Sequence, residues 1–137
     1  MDDCIFCKII RGQIPSYKIY EDDNYLAFLD ISQFTRGHTL VIPKKHYAFI
    51  WDIEDIGNFM EVVKKIGNHY RKLGFKYVDT LTFGRLVPHA HLHIVPHNGT
   101  DPDWEKGLAG LEYFHSAEHP QKSAAEFTKL VEDFKLS

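Results

Sequence analysis

One stretch of the chain decides the fold, Leu86-Val87-Pro88-His89-Ala90-His91-Leu92-His93-Ile94-Val95. Side chains two positions apart share a face of a β-strand, so the three histidines lie on one face with Val87 and Val95. The opposite face consists of Leu86, Pro88, Ala90, Leu92 and Ile94. This second face is apolar, and we expect it to pack on the core. The row of imidazoles on the first face is predicted to be exposed because it has a function.

The segments on either side of this stretch also have the composition of strands. The predicted strands are Tyr17–Tyr20, Tyr25–Asp30, His38–Ile42 and residues 75–83. The first two flank the turn-forming cluster Asp22-Asp23-Asn24, and the third stops at Pro43. Residues 75–83 are predicted to form a hairpin with Leu86–Val95 through Gly84.

Helical periodicity appears in three places. A short amphipathic helix is predicted from Ile5, Phe6, Ile9 and Ile10, ending before Gly12. A long helix follows from the apolar stripe Ile53, Ile56, Met60, Val63, Ile66, Tyr70 and Leu73, with Asp52 as its N-cap and Gly74 just beyond its end. The last helix begins at the capping box Ser123-Ala124-Ala125-Glu126 and is predicted to bury Phe127, Leu130, Val131 and Phe134.

These elements predict the α+β class: an antiparallel sheet of about five strands with a long helix and a C-terminal helix. The length of 137 residues fits one domain, 1–137. The formal charge of -3, without a basic run, disfavours extended nucleic-acid binding. No apolar stretch suits a membrane span, and the amino terminus is acidic, so we expect a cytoplasmic protein without a membrane partner.

The triplet His89, His91 and His93 by itself leaves two chemistries open. Alternating imidazoles can catalyse, or they can chelate zinc or copper. The only cysteines, Cys4 and Cys7, are spaced as CxxC, which is compatible with metal ligation, with packed free thiols or with a thioredoxin-type redox pair. The redox pair requires a βαβ setting that the sequence does not predict.

Four segments in fixed order resemble the histidine triad (HIT) family, and especially its Hint-like branch with a zinc-type CxxC. They are Cys4-Ile5-Phe6-Cys7-Lys8-Ile9-Ile10, the stretch from Tyr20 to Ile31, Gly37-His38-Thr39-Leu40-Val41-Ile42-Pro43-Lys44-Lys45-His46, and His89–Pro96. The resemblance covers about residues 4–96. It implies the fold of that family and, as its members commonly join their sheets, a homodimer.

The resemblance also implies a chemistry. His91 would attack the α-phosphorus of a purine nucleoside 5′-phosphate derivative to give a nucleotidyl-histidine, which water then hydrolyses. His93 would contact the phosphate or leaving group, and His38 would orient the triad that His89 completes. Asp30 would bind the ribose hydroxyls. The predicted purine contacts are Ile5, Phe6, Ile9, Phe28 and Ile31, each of which is equally compatible with ordinary core packing.

Zinc-containing members of that family use ligands at positions that match Cys4, Cys7, His46 and His89. Two thiolates and two imidazoles favour tetrahedral Zn²⁺. The ion would tie the amino-terminal helix to the sheet and hold His89 beside His91. We therefore expect Zn²⁺ with a structural role.

The sequence departs from the family ahead of the triad. Gly84 and Val87 fit the pattern, but Val78 replaces an Asn and Arg85 replaces a Gln that hold the phosphate. The Arg85 guanidinium is expected either to clamp phosphate oxygens or to point into solvent.

These departures leave three functions open. The first is a phosphoramidase-like nucleotide hydrolase or transferase. The second is a binding module of the same fold in which Val78 and Arg85 have weakened catalysis. The third is a metal-storage or structural protein whose imidazoles only chelate. Residues 98–123 are expected to cover the substrate.

Overall fold

The computed structural model of the protein describes residues 3–102, 104–106 and 122–136. The described elements are α1 (Ile5–Ile10), β1 (Lys18–Glu21), β2 (Tyr25–Leu29), β3 (Thr39–Pro43), a 3-10 turn (Ile50–Asp52), α2 (Ile56–Lys72), β4 (Tyr77–Leu81), β5 (Leu92–His97) and α3 (Ala124–Phe134). They confirm the α+β class. Most of the segment expected to cover the substrate, residues 107–121, lies outside the described residues.

The five strands form one antiparallel sheet in the order β1-β2-β3-β5-β4. The central strands β2 and β3 are almost wholly buried because helices cover both faces of the sheet. Ala27, Val41 and Ile94 pack on the face of α2. Phe28, Leu40 and Ile42 pack on the opposite face, together with Phe6 and Ile9 of α1. The histidines of β5 belong to this second face, since His93 is paired with Leu40.

The buried stripe of the long helix agrees with the prediction at Val63, Ile66 and Tyr70 and differs elsewhere. Its buried residues are Phe59, Val62, Val63, Ile66 and Tyr70, whereas Ile56, Met60 and Leu73 are exposed. The helix also begins three residues later than predicted. Asp52 lies in the 3-10 turn, and Asp55 is the N-cap whose side chain accepts a hydrogen bond from the Asn58 N–H. The prediction for the far end is confirmed, because Gly74 follows the helix with a φ of 107°.

The prediction that the second hairpin turns at Gly84 is wrong. Strands β4 and β5 do pair, but residues 82–91 between them form an irregular connection rather than an extension of the ladder. Pro88 has no N–H to donate, and the Ala90 N–H donates to the Tyr47 carbonyl rather than to β4. Leu86, predicted to face the core, is therefore 96% exposed, while Ala90, Leu92 and Ile94 are buried as expected.

The chain forms two compact units, Met1–Glu105 and Lys106–Ser137, and the sheet lies in the first. The second contains α3, which begins at the predicted capping box between Ser123 and Glu126. The prediction that α3 buries its apolar side chains is wrong, because none of its residues is buried. No described helix has the length and apolarity needed to cross a bilayer. A single domain over 1–137 stays a prediction.

The burial difference between Ile94 and Leu86 predicts a difference in stability. Ile94→Ala should lower the free energy of unfolding by about 2–5 kcal/mol, because it leaves a cavity between the sheet and α2. The matched variant Leu86→Ala should change it by less than about 0.5 kcal/mol, because the side chain is exposed. Urea denaturation measures both values, and equal losses would show that Leu86 is packed in a longer strand.

Candidate functional site

The first cluster of the site joins the start of α1 to the sheet. Its four donor atoms, from Cys4, Cys7, His46 and His89, all lie within 4.8 Å of one another. The Cys7 Sγ is 3.2 Å from the His46 Nδ1 and 3.5 Å from the His89 Nδ1, and the Cys4 Sγ is 3.4 Å from the His89 Nδ1. Bonds of zinc length imply donor separations of about 3.3–3.8 Å around a tetrahedral ion. The donor set and its spacing therefore fit Zn²⁺.

The protonation pattern of His89 also fits a ligand. Its Nε2 is 2.8 Å from the Pro43 carbonyl oxygen, and only an N–H can bond that oxygen, so the Nδ1 has the free lone pair. Burial lowers the pKa of His89, which is fully buried, and favours the neutral ring that a metal requires. Burial raises the pKa of the Cys7 thiol, and the neighbouring Cys4 adds to that effect.

The second cluster consists of Asp30, His38 and His93, on the loop after β2, at the start of β3 and on β5. The His38 Nε2 is 2.8 Å from the His93 Nδ1 and 3.7 Å from the Asp30 Oδ2. The His38 Nδ1 accepts a hydrogen bond from the Phe34 N–H at 3.2 Å, so a neutral His38 carries its proton on Nε2 and donates it to His93. A neutral His93 then has its own N–H on Nε2.

His91 lies between the two clusters. Its Nδ1 is 2.7 Å from the His89 carbonyl oxygen, so the proton is on Nδ1 and the lone pair is on Nε2. The ring packs edge-on against Phe6 and against His93, with centroids 5.2 Å apart in both contacts. Thr82 fixes the backbone here by donating its hydroxyl to the His91 carbonyl at 2.8 Å.

The triad is therefore assembled, but it is not exposed as predicted. His89 is completely buried and His91 is 7% exposed, because Phe6 and the rest of α1 cover this face of the sheet. Burial, with the neighbouring His38 and His91, lowers the pKa of His93 to about 4, and the opposing effect of Asp30 is smaller. Burial lowers the pKa of His38 as well. Both rings are neutral donors and acceptors near neutral pH.

The predicted purine contacts fall into two groups. Phe6, Ile9 and Phe28 are buried together in the core below α1. Ile5 and Ile31 are 46% and 88% exposed. Among these contacts, exposed apolar surface is therefore provided only by Ile5, which belongs to α1, and by Ile31, which follows Asp30 in the chain.

Val78 and Arg85, the two residues that depart from the family pattern, lie in different places relative to the triad. Val78 packs against the core on the α2 side of β4, so its side chain lies on the face opposite the triad. Gly84 lines a cleft together with His91. Arg85 is exposed, with its guanidinium 5.8 Å above the ring of Phe83, which is itself 6.2 Å from His93.

Sequence reasoning missed two features near the triad. Gln33 donates to the carbonyls of Asp30 and His38 and accepts from the Gly37 N–H, so it fixes the loop that carries both site residues. Phe49 and Trp51 line the cleft at His91 from a segment about forty residues away in sequence. No local sequence pattern identifies Gln33. Phe49 and Trp51, which follow His46 within five positions, are the only signal in the sequence for the cleft.

Several known proteins are similar to this chain. The family model described as HIT domain matches residues 11–100. An uncharacterized HIT-like protein of Methanocaldococcus jannaschii is 46% identical over 100 residues, covering 68% of this chain and 78% of that protein. An adenosine 5′-monophosphoramidase of Schizosaccharomyces pombe is 39% identical over 112 residues, covering 77% and 79%. A crystal structure of a HIT family member from Bacillus subtilis is 36% identical with a TM-score of 0.67, covering 85% of this chain and 99% of that one.

The low pKa of His93 predicts a pH dependence of stability. An unfolded chain protonates this imidazole near its ordinary pKa of 6.5, whereas the folded protein does so at about 4. The contribution of neutral His93 to the free energy of unfolding is therefore complete above about pH 6.5 and is lost as the pH falls towards about 4. When the pH falls from about 7.5 to about 5, the unmodified protein should therefore lose stability. The decrease in the free energy of unfolding should be smaller in His93→Asn by on the order of 1–2 kcal/mol, because the variant lacks this imidazole.

Urea denaturation at both pH values gives this difference, with His69→Asn on the exposed side of α2 as the matched control. The control should lose as much stability as the unmodified protein. An unchanged loss in His93→Asn would contradict a depressed pKa at His93.

Proposed function

Because this chain belongs to the HIT domain family, we propose that it is a nucleotide hydrolase or transferase acting at the α-phosphate of a purine nucleoside 5′-phosphate derivative. The substrate is of the phosphoramidate or dinucleotide type, and the reaction is phosphoramidase-like. The observation that carries this proposal is the His91 Nδ1 contact with the His89 carbonyl at 2.7 Å, which leaves the Nε2 lone pair free.

The first step is attack of the His91 Nε2 on the α-phosphorus. A nitrogen–phosphorus bond forms, and the bond from phosphorus to the leaving group breaks. The His93 Nε2–H, fixed by the hydrogen bond that His93 accepts from His38, donates to the phosphate or to the departing atom. Water then attacks the nucleotidyl-histidine, releases the nucleoside monophosphate and restores His91.

Asp30 supports binding of the nucleoside. Its carboxylate lies beside His38 and His93 on a loop braced by Gln33, which suits acceptance of the two ribose hydroxyl protons. We assign the base to the apolar surface beside this loop, with Ile5 and Ile31 as its exposed parts. Phe6, Ile9 and Phe28 are buried in the core cluster that contains α1, so their part in base binding is to support this surface.

The second candidate is a binding module of the same fold with weakened catalysis. The position of Val78 favours it, because a side chain packed against the core on the α2 side offers the phosphate no polar group. Arg85 partly offsets this loss, since a guanidinium at the edge of the site can bind phosphate oxygens. Arg85 cannot accept a hydrogen bond from an attacking water, so release of the intermediate is the step most exposed to the change.

We also propose that the cluster Cys4, Cys7, His46 and His89 holds Zn²⁺ as a structural ion. When bound, the ion would cross-link three segments through four ligands: α1, the segment after β3 and the connection before β5. It leaves the His89 carbonyl free to receive the His91 N–H.

A cytoplasmic location and a homodimer complete the proposal. Strand β4 lies at one edge of the sheet, which is a place where a second sheet can pair.

Loss of the nucleophile should remove the chemistry. With adenosine 5′-phosphoramidate, the unmodified protein should show an AMP adduct by intact mass and should release AMP. In His91→Ala both signals should disappear, with AMP release falling by at least about 10³-fold, because no other group replaces the nucleophile. His69→Ala, on exposed α2 surface, is the control and should keep full activity. Nucleotide binding without adduct or product in the unmodified protein would favour the binding module instead.

The zinc proposal has a separate test. Protein purified without chelator should contain about one Zn²⁺ per chain, and Cys4→Ser and Cys7→Ser should each lose most of it. Their thermal unfolding midpoints should fall because α1 is no longer tied to the sheet. His69→Ala should retain both metal and midpoint. An unmodified protein without bound zinc would contradict the assignment.

A further inference from the structure

A line of packed rings connects the far end of β5 to the site. It consists of His97, Trp104, Phe34 and His38, and we call it the aromatic bridge. The ring centroids of Trp104 and His97 are 3.7 Å apart with 12° between their planes, so the two rings are stacked. The Trp104 ring is also 6.1 Å from the Phe34 ring, which packs edge-on against His38 at 6.5 Å.

His97 is the fixed end of the aromatic bridge. Residues an even number of positions apart on β5 share a face, so His97 points to the same side of the sheet as His93. Its ring is buried and both of its nitrogens are bonded. The Nδ1 accepts from the Gly99 N–H at 3.0 Å, and the Nε2 donates to the Asp79 Oδ2 at 2.6 Å. The imidazole is therefore a rigid support for the Trp104 ring.

The turn after β5 brings Trp104 back onto this support. The Asn98 N–H donates to the Asp101 Oδ2 at 2.7 Å, and the Asp101 carbonyl accepts from the Glu105 N–H at 3.0 Å. The Asn98 side chain also accepts from the Lys76 N–H at 3.0 Å, which ties the turn to the residue before β4. Hydrogen bonds of the turn therefore determine where the Trp104 ring lies.

Phe34 is the residue through which Trp104 reaches His38. Its N–H donates to the His38 Nδ1 at 3.2 Å, the long end of the usual range for such bonds, so a small shift of Phe34 breaks it. The next residue is held separately, because the Thr35 hydroxyl donates to the Pro96 carbonyl at 2.6 Å. Among the described residues, the Phe34 ring has aromatic contacts with His38 and Trp104. Trp104 therefore supports the residue that sets the His38 tautomer.

The tautomer of His38 decides which proton His93 can donate. With its proton on Nε2, His38 donates to the His93 Nδ1, and His93 keeps its own proton on Nε2. With the His38 proton on Nδ1, which the Phe34 N–H excludes, the bond can form only in the other direction. His93 would then carry its proton on Nδ1, and its Nε2 would have no hydrogen for a departing atom. The Asp30 carboxylate favours the first arrangement as well but, at 3.7 Å from the His38 Nε2, is beyond hydrogen-bond distance.

We propose that Trp104 is a positioning residue for the proposed reaction. Through Phe34 it keeps the proton of His38 on Nε2, and through His38 it keeps on the His93 Nε2 the proton that a leaving amine needs. The catalytic part of this inference rests on the proposed function, whereas the effect on the two imidazole tautomers does not. Trp104 bonds no reacting atom, so its removal should slow the chemical step.

The tautomers are measured directly by NMR in protein labelled with nitrogen-15 in its histidine rings, because protonated and bare ring nitrogens have well-separated shifts. Near neutral pH, His38 and His93 should each show a bare Nδ1 and a protonated Nε2. Trp104→Ala should shift both residues towards a mixture of tautomers, and Trp104→Phe, which keeps a flat ring against Phe34, should restore the original spectrum. The matched control is Tyr17→Ala, an exposed aromatic residue before β1, which should leave the spectrum unchanged.

Two substrates separate a lost proton from general damage to the site. Adenosine 5′-phosphoramidate requires protonation of its departing nitrogen, whereas the p-nitrophenyl ester of AMP releases a stable phenolate that needs no proton. Single turnovers at saturating protein report the attack by His91 rather than the later hydrolysis. In Trp104→Ala this rate should fall by about 3–10-fold for the amide, the factor that one ordinary hydrogen bond contributes, and by less than about 2-fold for the ester. Trp104→Phe should recover the rate with the amide.

Each outcome decides the inference. Unchanged tautomers of His38 and His93 in Trp104→Ala would overturn it. Changed tautomers with an equal loss for both substrates would overturn the catalytic part, because the proton would not then serve the leaving group. A protein that releases AMP from neither substrate contradicts the proposed function, and the spectra alone then decide the effect on the tautomers. If Trp104→Ala does not fold, Trp104→Leu, which keeps apolar volume without a flat ring, is compared with Trp104→Phe in its place.

Discussion

The position of His89 is the constraint on which the site depends. Its imidazole is fully buried and is fixed by the Pro43 carbonyl, so its Nδ1 faces the two cysteines and His46. Its own carbonyl receives the Nδ1–H of His91. His89 thus links the donor cluster, which its side chain contacts, to the imidazole of His91, which its backbone carbonyl contacts. A displacement of His89 changes the tautomer and orientation of His91 without any direct contact with a substrate.

At the opposite end of the row, hydrogen bonds also fix the proton positions of His38 and His93. The Phe34 N–H sets the proton of His38, and His38 sets that of His93. Backbone groups therefore determine where each proton lies, and burial keeps the rings neutral near neutral pH. Under the proposed function, the phosphate is bound by oriented N–H groups of neutral rings rather than by net positive charge, so binding depends on the positions of these groups more than on surface electrostatics.

The sequence predicted the elements that a repeating pattern defines. Apolar composition between turn residues located β2 and β3, alternation located β5, and the capping box located the start of α3. Periodicity failed where competing hydrogen bonds decide the structure. The alternation through Leu86 and Val87 suggested a strand, but Pro88 and the bond from Ala90 to Tyr47 prevent the ladder from extending there. Within the stripe of α2, Val63, Ile66 and Tyr70 are buried as predicted, but Phe59 is buried in place of Met60. Both residues are apolar and adjacent, and only packing against the sheet selects Phe59.

Most site residues were predicted from the family resemblance, because no local sequence pattern shows which distant residues meet in the fold. The pair Cys4 and Cys7 is far in sequence from His46 and from His89, and only the antiparallel order of the sheet brings the four residues together. The connection of residues 82–91 explains why the cleft escaped prediction. Its last residues, His89 to His91, are fixed by buried hydrogen bonds, whereas Phe83 to Leu86 before them are largely exposed. Substitutions in the exposed half can therefore reshape the surface beside His91 while the buried hydrogen bonds keep the histidines of the triad in place.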